Sequence, residues 1–182
     1  MKTPLQRCCA ALLAAIVLIA PAARGQASLS EAELKAALVF NFARYVDWPE
    51  RAFAAPDSPF VLCVVGPERY GAAFAALEGR TMAGRPVRVR QAVASDDTRG
   101  CHVAFFSEAP RQGPATLRAM ASQPTLTVSD VEGFIDSGGA IGIVQGEERL
   151  QFEVNRDALG RAQLKASSQL LRLARAIIGK GG

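Results

Sequence analysis

Short apolar runs separated by polar turns predict a sheet whose strands alternate with helices. Runs of four to six residues bounded by glycine, proline or polar residues are typical of buried strands. They occur at residues 60–65, 101–106, 125–128 and 141–144. Residues 86–93 instead alternate apolar with basic side chains, which predicts a strand with one side facing water or a partner.

Other segments have the spacing of helices. Residues 30–33 (Ser-Glu-Ala-Glu) form a capping box, and apolar residues then recur at helical intervals up to Pro49, which predicts the first helix. Further helices are predicted at 67–77, 114–121 and 167–178. The last of these carries a wide apolar stripe made of Leu170, Leu171, Leu173, Ala174, Ile177 and Ile178.

The two runs near the end of the chain predict a hairpin. Residues 141–144 and 150–154 are joined by a polar turn that contains Gly146, and Asn155 is placed to cap the helical segment that follows. The order of elements predicts an α/β fold. We expect a single layered domain with a mixed, mostly parallel sheet flanked by helices, ending in an antiparallel hairpin and a helix.

The loop after the strand at 125–128 is a natural place for chemistry, since strand ends present polar groups. Ser129 and Asp130 with His102 suggest a hydrolase triad, but no Gly-x-Ser-x-Gly sequence surrounds Ser129. We expect Asp130 to cap the next turn. Gly138 and Gly139 are explained by a tight entry into the hairpin. The sequence therefore predicts no enzyme and no cofactor.

The chain has a single histidine, His102, which follows Cys101 in a predicted core strand. Neighbouring strand residues point to opposite faces, so these two side chains are poorly placed to bind one metal ion. We expect His102 to be hydrogen-bonded to a loop, and we predict no metal site.

The first 27 residues have the features of a cleaved signal peptide. Lys2 and Arg7 precede the apolar run 8–20, which is too short to span a bilayer, and small residues precede cleavage positions after Gly25 or Ala27. The alternative is an uncleaved membrane anchor. Cleavage removes three basic and no acidic residues, so the net charge of +4 becomes +1. The remaining domain, residues 28–182, therefore has no charge signature of nucleic-acid binding.

Two of the four cysteines, Cys8 and Cys9, lie in the predicted leader, which leaves Cys63 and Cys101. In an oxidising compartment an even pair is a disulfide candidate. The alternative is two reduced, buried cysteines that pack as small apolar side chains.

Seven segments in this order and spacing resemble the YfiR family of exported bacterial proteins (the DUF4154 domain). They are KAALVFNFARYVDWP, FVLCVVG, GRPVRVR, CHVAFFS, LTVSDVEGFIDSGGAIGIV, RLQFEVN and SSQLLRLA. The resemblance covers about residues 30–178. It implies a periplasmic repressor that forms a homodimer and binds the periplasmic domain of an inner-membrane diguanylate cyclase. Repression would lower cyclic di-GMP and biofilm formation.

The resemblance also implies roles for individual residues. Cys63 and Cys101 match one family disulfide, whereas Ile135 and Gly142 stand where the cysteines of a second would be. Glu153, Ile141 and Leu159 match positions of the family's partner-binding surface. For Ile141 and Leu159, plain core packing is the alternative. Glu153 is expected on the strand face opposite Phe152 and Val154, where it can meet a partner or a basic neighbour such as Arg149 or Arg156.

A second function stays open on the sequence alone. The chain would then be a periplasmic small-molecule binding protein that presents its ligand to a membrane histidine kinase or cyclase. Ser129, Asp130, Gly138 and Gly139 would line the binding pocket of such a protein.

Overall fold

The computed structural model describes residues 29–92, 98–110 and 113–180. The predicted signal peptide, residues 1–27, lies outside the described residues and stays a prediction. In chain order the strands are β1 (Val46–Asp47), β2 (Phe60–Val65), β3 (Thr81–Met82), β4 (Arg85–Ala92), β5 (Val103–Phe106), β6 (Leu126–Ser129), β7 (Ile141–Gln145), β8 (Leu150–Asn155), β9 (Lys165–Ala166) and β10 (Ala176–Ile178).

Eight of these strands form one sheet, in the order β10-β8-β7-β6-β5-β2-β4-β3. The five inner strands from β7 to β4 run parallel, and antiparallel pairs flank them at β7–β8 and β3–β4. This confirms the predicted mixed, mostly parallel sheet and the hairpin. The short strands β1 and β9 form a separate antiparallel pair that the sequence did not predict.

In the part of the chain that the structure describes, five helices accompany the strands: α1 (Glu31–Arg44), α2 (Gly71–Ala75), α3 (Gly113–Met120), α4 (Arg156–Arg161) and α5 (Ser168–Leu173). Two short 3-10 helices lie at Glu50–Ala52 and Glu68–Tyr70. The capping box of α1 is confirmed, because Ser30 and Glu33 satisfy each other's backbone N–H groups. The side chain of Asn155 caps α4 as predicted, accepting the N–H of Ala158 at 3.0 Å.

The two faces of the sheet are covered unequally. Residues from α1, α2, α4 and α5 pack on one face in a large core that includes Val64, Phe105 and Val154. On the opposite face a smaller core joins Val65 and Phe106 to residues of α3 and to Phe134. One layer therefore holds four described helices and the other holds one.

The predicted helix at 167–178 is only half correct. Helix α5 ends at Leu173, and the backbone turns to an extended conformation at Ala174. Arg175 then donates its N–H to the carbonyl of Phe152 at 2.8 Å, and residues 176–178 continue as β10 beside β8. The unpaired edge of β8 offers hydrogen bonds that a longer helix would leave unmade, so tertiary pairing overrides the local helical pattern.

The two remaining cysteines form a disulfide. Cys63 lies in β2 and Cys101 just before the neighbouring strand β5, and their Cα atoms are 5.8 Å apart. Both residues are buried. The disulfide is therefore confirmed over the alternative of two reduced thiols.

We expect alkylation of the exported protein without reductant to modify no cysteine in an intact mass spectrum. The same treatment after reduction should modify two. The bond closes a loop between residues 38 apart, so the Cys63→Ala/Cys101→Ala variant should lose about 4 kcal/mol of unfolding free energy in urea denaturation. Two alkylated thiols in freshly exported, unreduced protein would contradict the assignment.

Candidate functional site

The three residues expected at the partner-binding surface do not lie together on the surface. Ile141 in β7 is fully buried and Leu159 in α4 is 3% exposed, and both belong to the larger core. The structure therefore shows the side chains of Ile141 and Leu159 packed in the core and not available to a partner. Glu153 is partly exposed and lies on the opposite face of the sheet from Phe152 and Val154, as the alternating pattern predicted.

Glu153 belongs to a part of the sheet that no described helix covers. Residues paired across strands share a face, so Glu153 lies on the same side as Ala176 of β10 and Gly142 of β7. Helix α3 covers the middle strands of this face but contributes nothing to its β8 end. We call this region the open sheet face, and its partly exposed residues are Val144, Gln151, Glu153, Ala176 and Ile178.

The charged residue on the open sheet face, Glu153, forms only a long ion pair with Arg175. A carboxylate oxygen of Glu153 lies 3.9 Å from Nε of Arg175, and the side chains are 23% and 52% exposed. Arg175, rather than Arg149 or Arg156, is therefore the basic neighbour. A long, solvated ion pair contributes little to stability, so both groups can exchange partners at low cost. Such an arrangement suits recognition of another protein by charge.

A polar cleft continues this surface beyond the hairpin turn. It has a volume of about 440 Å³, and Arg175 lines it together with residues 145–149 and Gln151. Glu147, Glu148 and Arg149 contribute charges of both signs and are exposed. These groups offer polar contacts without the buried, mutually oriented side chains that a catalytic site needs.

The loop before β7 packs tightly under the open sheet face. A Cβ atom at Gly142 would lie 3.2 Å from Cγ2 of Ile135, so the two positions that match the missing family disulfide are in contact. At Gly139 a Cβ would overlap the ring of Phe134 at 2.1 Å. Gly139 is thus required by packing against Phe134.

Asp130 does not cap the turn, contrary to the prediction. Its Oδ2 accepts hydrogen bonds from Nζ of Lys35 at 2.7 Å and from the hydroxyl of Tyr70 at 2.6 Å. Ser129 takes the turn role, since its hydroxyl accepts the N–H of Val131 and donates to the carbonyl of Phe106. Lys35 also pairs with Glu31 one helical turn earlier.

The paired side chains of Asp130 and Lys35 both stay charged at neutral pH. Burial raises the pKa of Asp130, but hydrogen bonds from Lys35 and Tyr70 outweigh it and hold the pKa below its ordinary value. Burial lowers the pKa of Lys35, while its bonds to Asp130, Glu31 and Tyr70 together raise it above the ordinary value. The ion pair therefore fastens α1 to the end of β6, and its role is structural. The sequence signal for this ion pair is Lys35, a charged residue among the apolar positions of α1.

His102 is hydrogen-bonded as predicted, but its partners lie in β2 and in the 3-10 helix Glu50–Ala52 rather than in a loop. Its Nδ1 accepts the N–H of Val61 at 3.0 Å, which leaves Nε2 as the donor to the carbonyl of Ala52 at 3.0 Å. The ring stacks on Phe53 and Phe60, and burial lowers its pKa. Within residues 29–92, 98–110 and 113–180, no group of three or more histidine, cysteine or acidic side chains is arranged to bind a metal ion.

Comparison with known families decides the assignment. The YfiR/HmsC-like family (DUF4154) matches residues 32–175, which is most of the chain. The chain belongs to this family. YfiR-like proteins are periplasmic regulatory proteins. In the described part of the chain, no helix is long and apolar enough to cross a membrane.

The chain is also weakly similar to a solved structure. It is the crystal structure of a conserved domain protein from Vibrio cholerae O1 biovar El Tor, with 12% sequence identity and a TM-score of 0.48. The alignment covers 83% of this chain and 61% of the Vibrio protein, so the chain spans less than two thirds of that protein's length.

Replacing Asp130 by asparagine should lower the unfolding free energy by about 3 kcal/mol at pH 7, because Lys35 keeps its charge and loses its largely buried carboxylate partner. The folded-state pKa of Asp130 is lowered, so its contribution is complete well above the ordinary value of 3.8 and is lost as the pH falls through the lower, folded-state value. Urea denaturation at pH 7, 5 and 3 checks both statements.

The matched control for Asp130→Asn is Glu78→Gln. Glu78 pairs with Arg88 at 3.1 Å, and both side chains are well exposed. This variant should change stability by less than about 1 kcal/mol at each pH. A difference between wild type and Asp130→Asn that is as large at pH 3 as at pH 7 would contradict the proposed ion pair.

The contact between Ile135 and Gly142 predicts that a second disulfide can be built there. We expect the Ile135→Cys/Gly142→Cys variant to gain a bond, because a Cβ at Gly142 already meets the side chain at position 135. Intact mass after alkylation of unreduced protein measures it, and each single variant serves as a control with one reactive thiol. Two free thiols in the oxidised double variant would show that the positions are not adjacent.

Proposed function

We propose that this protein is an exported regulatory protein that binds the periplasmic sensor domain of an inner-membrane diguanylate cyclase and holds the cyclase inactive. Binding would lower cyclic di-GMP and biofilm formation. The family match over residues 32–175 is the observation that carries the proposal. The partly exposed, charged open sheet face supplies a surface for it, with Glu153 and Arg175 as its charged pair.

Repression requires binding to one state of the cyclase in preference to the other. A ligand shifts a two-state equilibrium only by the difference between its affinities for the two states. A hundredfold preference for the inactive state, about 2.7 kcal/mol, would move an even mixture to about 99% inactive. On this proposal Glu153 exchanges Arg175 for a basic group of the inactive sensor domain. Ile141 and Leu159 affect the surface indirectly, by supporting β7 and β8 from the core.

Other parts of the proposal follow from the family and the sequence. Residues 1–27 would be removed during export, and residues 28–182 would act in the periplasm as a non-enzymatic homodimer. The near-neutral charge of that domain is compatible with a protein partner and gives no support for a nucleic-acid partner.

A small-molecule binding role is the second candidate because of one cavity. The cavity has a volume of about 330 Å³, within the usual range for ligand sites, and Trp48, Phe53 and Phe60 line it. The indole Nε1 of Trp48 is buried and has no hydrogen-bond partner among the described residues. This cavity lies away from Ser129, whose hydroxyl is buried and already bonded.

Reversing the charge of Glu153 tests the proposed surface. We expect Glu153→Lys to weaken binding to the purified periplasmic domain of the cyclase at least tenfold, about 1.4 kcal/mol, measured by biolayer interferometry. Glu68→Lys makes the same charge change at an exposed position in the 3-10 helix Glu68–Tyr70 and should bind like wild type.

A second variant separates partner contact from an internal effect. Glu153→Lys/Arg175→Glu restores an ion pair within the chain while keeping lysine at position 153. If Glu153 contacts the cyclase, binding stays weak. Recovery of wild-type affinity in the double variant, or unchanged affinity in Glu153→Lys, would reject the open sheet face as the binding surface.

A further inference from the structure

We infer that His102 is a pH-sensitive latch, whose neutral ring fastens residues 49–59 to the sheet and whose protonation releases them. This segment lies between β1 and β2, and His102 lies just before β5. The latch is therefore separate from the open sheet face, and it does not depend on the identity of the partner protein.

The hydrogen bonds of His102 require a neutral ring. Nδ1 accepts the backbone N–H of Val61 at 3.0 Å, so this nitrogen carries no proton. Nε2 carries the proton and donates it to the carbonyl of Ala52 at 3.0 Å. A charged imidazolium has a proton on both nitrogens, so no orientation of it can accept the N–H of Val61. Protonation would therefore leave a buried donor without an acceptor, which is costly.

The surroundings of the ring also disfavour a positive charge. His102 is 6% exposed, and its ring stacks on Phe53 and Phe60 with centroids 4.5 and 4.9 Å away. Aromatic faces attract cations, but the guanidinium of Arg85 already lies over Phe53, 3.9 Å from the ring centroid. Burial and the charge of Arg85 both lower the pKa of His102.

The other described elements around the ring bring no compensating negative charge. In the 3-10 helix Glu50–Ala52, both Glu50 and Arg51 are exposed, and Arg51 donates to the side-chain oxygen of Gln163 at 2.8 Å. Arg99, in the turn before β5, is exposed as well. The neighbouring strands β2 and β6 carry no ionisable side chain apart from Cys63, which is held in the disulfide.

The ring holds the segment before β2 by a buried contact. Ala52 ends the 3-10 helix and Phe53 follows it, and both contact the ring. The other side-chain bonds to this segment come from two arginines and are exposed or half-buried. Val61 is fixed more firmly, because it pairs with β4 and its carbonyl accepts the backbone N–H of His102 at 2.8 Å. The protonated ring, rather than Val61, therefore has to move, and Ala52 and Phe53 lose their anchor.

Release of the segment would open the cavity of about 330 Å³ that Phe53 lines together with Trp48 and Phe60. Trp48 is the only tryptophan of the chain, and its ring lies edge-on to Phe60 with centroids 5.2 Å apart. Water entering the cavity would reach the indole ring. Tryptophan fluorescence therefore reports the state of the latch.

The direction of the pH dependence follows from the lowered pKa. The latch is fully closed above the ordinary histidine pKa of 6.5 and opens as the pH falls through the lower, folded-state value. His102 is the only histidine, and carboxylates titrate mainly below pH 5. The pKa of Asp130 lies below 3.8, so the ion pair with Lys35 stays intact in this range. A change between pH 7.5 and 5 is therefore specific to the latch.

NMR of the histidine ring nitrogens and hydrogen exchange of the Val61 amide, both on wild type from pH 7.5 to 5, test the latch. We expect Nδ1 to gain its proton below pH 6.5. Exchange at Val61, corrected for the intrinsic effect of pH, should speed up at least about tenfold, the change that one pH unit makes in the ratio of charged to neutral imidazole. Trp48 emission should move to longer wavelength over the same interval. The control is the amide of Ala140, which donates to the buried hydroxyl of Thr127, also at 3.0 Å, and should exchange unchanged.

The His102→Gln variant separates the histidine from other groups. A glutamine offers an acceptor and a donor but takes up no proton in this range, so Trp48 emission should not change between pH 7.5 and 5. A wild-type pH response in this variant would overturn the latch. Protonation of the wild-type ring without a change at Val61 or Trp48 would overturn it too. Loss of protection at Ala140 together with Val61 would show acid unfolding of the whole domain, which is equally incompatible with a latch. The wild-type measurements decide the question even if the variant is unstable.

Discussion

The unequal cover of the two sheet faces is the constraint on which the rest of this structure depends. Residues of α1, α2, α4 and α5 all pack on one face, and α3 alone among the described helices packs on the other. The covered face places Ile141 and Leu159 in the core. The other face leaves the β8 end of the sheet partly exposed and puts Glu153 there. An apolar sheet face needs cover to be stable alone, whereas the uncovered β8 end carries the polar side chains of Gln151 and Glu153.

Two long-range links hold this arrangement. The disulfide joins β2 to the start of β5 in the middle of the sheet. The ion pair between Lys35 and Asp130 joins α1 to the end of β6 across 95 residues of sequence. Both lie away from the β8–β10 end, which is secured mainly by strand pairing and by packing of the last helices.

Features set by local sequence were predictable, and features set by distant pairing were not. The capping box at Ser30, the apolar strand β2 and the cap at Asn155 follow from neighbouring residues and are confirmed. Residues 176–178 also fit a helical stripe, so their sequence alone does not predict a strand, and the open edge of β8 decides for one. The partners of Asp130, Lys35 and Tyr70, are remote in sequence, so the local pattern predicts only a turn. The alternation of apolar and polar residues around Glu153 predicts which sheet face its side chain lies on. The family resemblance points to Ile141 and Leu159 as surface residues but does not indicate that they are buried.

On the proposed function, the open sheet face is the surface that contacts the cyclase. A photo-crosslinking amino acid at Gln151, which lies on that face, tests it in living cells, with Arg88 in β4 as an exposed control near the far edge of the sheet. We expect a covalent adduct with the cyclase from position 151 and none from position 88. An adduct from position 88 with none from position 151 would contradict the proposed contact.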